Sequence, residues 1–188
     1  MVHGHDNDVW FMRRQIAVFF LPLGAVMPLH DHPAMTVFTK LLIGSAHLEA
    51  YDWVRPVFSA SLGSRSRRRM LAEKVRDHDV TAASSGTWVL FPNHGGNMHR
   101  FTAAEDAHCA FLDVLTPPMD QRRCSYYQDF EFPYEHHHPS CKSSTGVVSY
   151  DGLITEEQTR RRLAWLEEVP QPRDLRIVCL PYLGPTIF

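Results

Sequence analysis

The chain has 188 residues, enough for one domain with a sizeable core. Its formal net charge of -2 gives no basic surplus that would suit nucleic acid or an anionic membrane, and no apolar run approaches the length that spans a bilayer. Cys109, Cys124, Cys141 and Cys179 lack CxxC spacing, so neither a zinc knuckle nor a disulfide framework is indicated and they read as reduced thiols.

The amino terminus MVHGHDNDVW has no signal-peptide pattern, and together with the reduced cysteines this points to a soluble cytoplasmic protein. Residues 1–14 read as a polar tail, and residues 15–188 as a single domain. His3 and His5 form an H-x-H pair, but with no strand pattern around them they read as solvated. From Gln15 to Leu29 the pattern is strand, turn at Pro22 to Gly24, and strand again. His30 and His32 follow in GAVMPLHDHPAMTVFTKLLIG, a stretch rich in β-branched and aromatic residues. Residues two apart in a strand share a face, so both imidazoles can reach one ion.

AHLEAYDWV then alternates, with Ala46, Leu48, Ala50 and Asp52 on one face and His47, Glu49, Tyr51 and Trp53 on the other. His47 is taken as a face residue. The basic stretch Ser59 to Met70 is read as a solvated loop, a nuclear address or an anion-binding patch being the other readings. Leu71 to Thr81 is a charged strand or hairpin. After the turn Ser84-Ser85-Gly86 comes a strand from Thr87 to Phe91, with Trp88 and Phe91 packed in the barrel. Asn93 to Asn97, with two glycines, forms a tight loop, and His94 on it is taken as exposed or bonded nearby.

CAFLDVL, Cys109 to Leu115, is an apolar strand interrupted by Asp113. A buried carboxylate is costly without a partner, so Asp113 is either structural or a group that orients substrate near a metal; the second reading is favoured. His136-His137-His138 lie in a turn-rich setting and read as a surface loop. Thr155 to Glu168 has the signature of a helix, with Thr155 as N-cap, Gln158 completing a capping box and Leu163 and Leu166 on its buried side. The tail LRIVCLPYLGPTIF is expected to return as the strand that closes the barrel.

The frame Gly24, five residues, His30-Asp31-His32, four residues, Val37, six residues, Gly44 resembles the first motif of the cupin superfamily. GTWVLFP followed by NHGGNMH resembles the second, with His99 two residues later than usual. The resemblance implies an all-β fold, a cupin double-stranded β-helix (small jelly-roll barrel), to which the capping pattern adds one C-terminal helix, and it implies His30, His32 and His99 as metal ligands. Val37 stands where many cupins have a Glu ligand. Three neutral imidazoles leave the full charge on the ion and favour an anionic substrate. Open positions beside three protein ligands suit catalysis more than structure.

A closer resemblance rests on PLHDHPAMTVFTKLLIGSAHLEAYDWV, GGNMHRF, AFLDVLTPP, CSYY and PYLGP. These look like the plant cysteine oxidase and cysteamine (2-aminoethanethiol) dioxygenase family, and the likeness runs from about Phe19 to the last residues. It implies a non-haem Fe(II) enzyme that uses O2 to convert a thiol to a sulfinic acid. The plant branch acts on the N-terminal Cys of regulatory proteins in oxygen-dependent degradation. A small thiol such as cysteamine or free cysteine is the alternative substrate, and a metal-binding cupin module without turnover is the alternative class. The resemblance makes Asp113 a residue important for activity and Tyr126 a neighbour of the site. It also pairs Cys124 with Tyr126 in a possible thioether. Met119 stands where the plant branch commonly has a Tyr after the Pro pair, and members generally carry a further segment ahead of this chain's first strand.

Overall fold

The computed structural model describes residues 15–55, 59–61, 68–119, 123–132, 162–181 and 183–184. Their regular structure is almost wholly strand, as alternation in the sequence requires. In chain order the strands are β1 (Gln15–Leu21), β2 (Val26–His30), β3 (Thr36–Ile43), β4 (Ser45–Trp53), β5 (Ser59–Ser61), β6 (Arg68–Thr81), β7 (Trp88–Leu90), β8 (Met98–Ala103), β9 (Cys109–Thr116), β10 (Tyr126–Glu131) and β11 (Leu163–Val169).

They form two antiparallel sheets. One has the order β1-β9-β3-β7, the other β11-β10-β2-β8-β4-β6-β5. The apolar positions of β3, β4, β8 and β9 meet between the sheets, where Val37, Leu41, Leu48, Phe101, Phe111 and Leu115 are almost completely buried. Each such side chain contributes about 1.5–3 kcal/mol by leaving water. This is the all-β double-stranded barrel that the sequence implies.

The second sheet does more than expected, because β11 also pairs with β6 and so joins β11, β10, β2, β8, β4 and β6 into a closed ring. The other face of this sheet is therefore an interior as well. Leu29, Tyr51, Ala72, Met98, Ala164 and Leu166 pack there. A polar network shares that face. The Tyr51 hydroxyl and Arg100 guanidinium donate to Asp129 at 3.0 and 3.1 Å, and Arg100 and Lys74 both pair with Glu49.

Several expectations need correction. The predicted helix over Thr155 to Glu168 does not reach its end, since Leu163–Val169 is strand β11; residues 155–161 lie outside the described residues. Leu163 and Leu166 suit a helix, but Ala164 and Leu166 also suit alternation. Pairing to β10 on one side and β6 on the other decides in favour of the strand. The tail does not close the barrel. Its described residues from Leu175 to Pro181 form no strand, with Ile177, Val178 and Leu180 exposed, because β11 already fills the closing position.

Phe91 is not packed inside. It lies at the surface with its ring stacked on His94, centroids 4.5 Å apart. The expected basic loop is shorter than Ser59 to Met70, since Ser59–Ser61 and the residues from Arg68 pair as β5 and β6. Residues 62–67, His3, His5, Cys141 and the three histidines at 136–138 lie outside the described residues. Cys109, Cys124 and Cys179 are free thiols.

Candidate metal centre

β2 ends on His30, the chain turns at Asp31 to Met35, and β3 leaves on the opposite sheet. His30 pairs directly with His99 of β8, so the first and third histidines of the motifs are cross-strand neighbours. The next inward position, His32, completes a cluster. Ligand atoms of His30, His32 and His99 all lie within 4.8 Å of one another, and all three residues are buried.

The donor set fits a metal ion. His30 Nδ1–H donates to the Pro28 carbonyl at 2.8 Å, which leaves Nε2 free to face the cluster. The Nε2 atoms of His32 and His99 stand 3.1 Å apart. Nitrogen ligands about 2.1 Å from an ion, at right angles to each other, stand about 3 Å apart, so this separation is that of adjacent ligands. Burial drives the basicity of all three rings down, and their mutual proximity lowers that of His32 and His99 further; His32 falls to about 3. At neutral pH the cluster is therefore uncharged, with lone pairs available. Val37, at the frequent Glu position, is buried in the core and offers no donor.

The loop before His99 fixes the second strand of the site. The His32 amide donates to Asn97 Oδ1 at 3.0 Å, and Asn97 Nδ2 donates to the His32 carbonyl at 3.1 Å and to the Phe91 carbonyl at 2.9 Å. Sequence reasoning gave Asn97 no role. It also passed over Asp31, which accepts from the Ser125 amide at 2.7 Å and from the Tyr127 hydroxyl at 3.1 Å. Asp31 thereby ties the start of β10 to the histidine turn.

That tie places Tyr126 opposite His30 across the strand pair, with ring centroids 6.4 Å apart. Cys124 is half-buried. Burial, with Asp31 nearby, pushes its thiol up to about 11, and Cys124 in turn helps burial raise the Tyr126 phenol.

Asp113 points inward from β9 on the facing sheet and is 2% exposed. Phe101 and Phe111 stack across the two sheets at 4.6 Å. From that pair, His99 and Asp113 each lie one inward-facing step toward the end where β2 turns into β3. Asp113 thus shares the histidine end of the barrel. Its neighbours across the strands are Thr39 and then Trp88, in one register row. All three are buried, and Asp113 Oδ1, Thr39 Oγ1 and Trp88 Nε1 have no hydrogen-bond partner. Burial raises the Asp113 carboxyl to about 6. Met119 packs partly against the core, and its amide donates to Gln15 at 3.1 Å.

The family model PCO_ADO matches residues 11–187. Plant cysteine oxidase 2 of Arabidopsis thaliana is 41% identical over 179 residues, covering 93% of this chain and 57% of its own length. The human 2-aminoethanethiol dioxygenase is 31% identical over 205 residues, covering 100% of this chain and 67% of its own length. The chain thus spans little more than half of its plant relative. A solved Klebsiella pneumoniae protein with a double-stranded β-helix domain aligns over 66% of this chain and 89% of its own at 12% identity, with a TM-score of 0.39.

Proposed function

The chain belongs to the PCO_ADO family, and from that premise we propose that it is a thiol dioxygenase that oxidises an N-terminal cysteine of a peptide or protein to cysteine sulfinic acid. The observation that carries this reading is the cluster of three uncharged imidazoles, joined by no carboxylate among the described residues. Such a set leaves an ion's charge uncompensated, which suits capture of a thiolate. The proposed ion is Fe(II), held by His30, His32 and His99. When bound there, it supplies a Lewis-acid position that acidifies a thiol and lets O2 react with sulfur.

The balance is one thiol plus one O2 giving one sulfinic acid, with both oxygen atoms on sulfur and no other reductant. The chain's own residues bind and orient. Asp113, buried with an unpartnered oxygen at the histidine end, is proposed to accept from the free amine of the terminal cysteine. Tyr126, next to His30, borders the space where the thiol would lie. A thioether between Cys124 and Tyr126 would form with loss of one hydrogen from sulfur and one from the ring, a two-electron oxidation for which O2 is the oxidant proposed here. We place the reaction in the cytoplasm, with the nucleus as a second compartment, and read the sulfinate as a mark for oxygen-dependent degradation.

Mass spectrometry tests this on anaerobically Fe(II)-loaded protein exposed to air. A peptide with a free N-terminal Cys should gain two oxygens, and an N-acetylated copy should gain none. Oxidation of cysteamine with the peptide untouched would assign the small-thiol reaction that the human relative's name describes. Oxidation of neither, with iron bound, would make the chain a metal-binding module.

A further inference from the structure

His30 is oriented through its ring, whose Nδ1 is tied to Pro28. His32 and His99 are not, since the Nδ1 of each is buried without a hydrogen-bond partner. Metal-binding histidines usually have that second nitrogen held, which fixes the ring's direction. Two of these three must be held by other means.

The means visible is a backbone clamp that begins at Asp52. Its carboxylate accepts three consecutive amides of the loop before His99, from Gly95 at 2.8 Å, Gly96 at 2.9 Å and Asn97 at 3.1 Å. Gly95 and Gly96 have φ of +89° and +87°, a left-handed pair that turns successive N–H groups toward one anion. A Cβ on Gly96 would stand 2.6 Å from the Ala50 Cβ, so the loop lies directly on β4. Asn97 then grips the His32 peptide from both sides, by its N–H and by its carbonyl. His99 follows two residues later. One carboxylate therefore anchors the segment that carries one histidine and, through a single carboxamide, the backbone of another.

We propose that Asp52 and Asn97 are positioning residues of the metal centre, setting the separation and direction of His32 and His99. Neither touches the ion. They act by holding two histidines that approach from distant parts of the chain, and Asp52 does so because its two oxygens can serve three amides at once, which a neutral carboxamide cannot.

Co(II) titration of the metal-free protein tests this, with affinity and the visible absorption bands as readouts. Asp52→Asn and Asn97→Ser should each weaken Co(II) about tenfold to a hundredfold and shift the bands. Asp129→Asn is the control. It removes the charge and one of the two acceptor oxygens on which the Tyr51 and Arg100 bonds converge in the second interior, and should lower the melting temperature while leaving affinity and bands unchanged. If Asp52→Asn is insoluble, Asn97→Ser decides by the same readouts. Parent-like affinity and bands in the folded variants would overturn the proposal, as would an equal loss in Asp129→Asn. Because metal binding is read and no turnover, the result stands apart from whether a thiol is oxidised.

Discussion

The Nε2 atoms of His32 and His99 stand 3.1 Å apart although 67 residues separate the two in the chain. Two uncharged imidazoles with no other partner at that distance are arranged for a shared ion. Saturating Fe(II) or Co(II) should therefore raise the melting temperature of the parent protein, by an amount equivalent to about 4 kcal/mol at a thousandfold excess over Kd. His99→Ala should show no such rise, as differential scanning fluorimetry with and without metal can check. An undiminished rise in His99→Ala would place the ion elsewhere.

Acid should unfold the metal-free protein through this same cluster. An exposed histidine titrates near 6.5, whereas burial holds His32 at about 3 and the other two below their ordinary range. The unfolded chain thus binds protons more readily in this window, and stability falls as pH drops from about 6.5 toward 3. His32 alone supplies a slope of about 1.4 kcal/mol per pH unit across this window, and His30 and His99 add to it in the same sense. Denaturant unfolding at pH 7 and pH 5 measures it, and a flat profile would contradict the burial described.

Asp113 works in the opposite sense. Its carboxyl is raised from 3.8 to about 6 by burial, so the folded chain holds this proton more tightly and loses stability as pH rises from about 4 through 6. Above pH 6 the ionised group costs up to about 3 kcal/mol. Asp113→Asn should then be more stable than the parent at pH 8 and close to it at pH 4, while thiol oxidation falls. Chemical denaturation at the two pH values, paired with the peptide assay, separates this from a simple structural role, in which stability would fall as well.

Gly44 is the closing glycine of the first motif, with φ of +74°. A Cβ there would run into the carbonyl of His108. Gly44→Ala should lose more than the 1–2 kcal/mol or so that the left-handed backbone alone costs a residue with a side chain, because the β3 end and the turn before β9 must also separate. Urea unfolding of the two proteins gives the difference directly.

The parts of this molecule written in local pattern were legible from the sequence. His30 and His32 declare themselves by their H-x-H spacing, although only His30 lies in a strand and His32 falls in the turn after it, and Asp113 stands out by interrupting an apolar run. Both readings needed only a short stretch of local sequence. β11 was not legible, because LAWLEEV fits a helix by Leu163 and Leu166 and a strand by Ala164 and Leu166. Only pairing with two distant strands resolves it. The second interior stayed hidden for the same reason: Tyr51 sits on what reads as the solvent face of β4 until β11 closes the ring. Asp52 carried a signal that could have been used, an acid on the apolar face of an alternating strand. Its partners lie 43 to 45 residues further on, in a loop whose glycines spoke only of a turn.

Incubation of the Fe(II)-loaded protein and a peptide with a free N-terminal Cys under isotopically heavy O2 tests the central claim most directly. The account predicts a sulfinate in which both oxygens carry the heavy isotope, formed by the parent and absent with His99→Ala. A product with one heavy oxygen and one from water, or equal product with His99→Ala, would contradict a dioxygenase built on these three histidines.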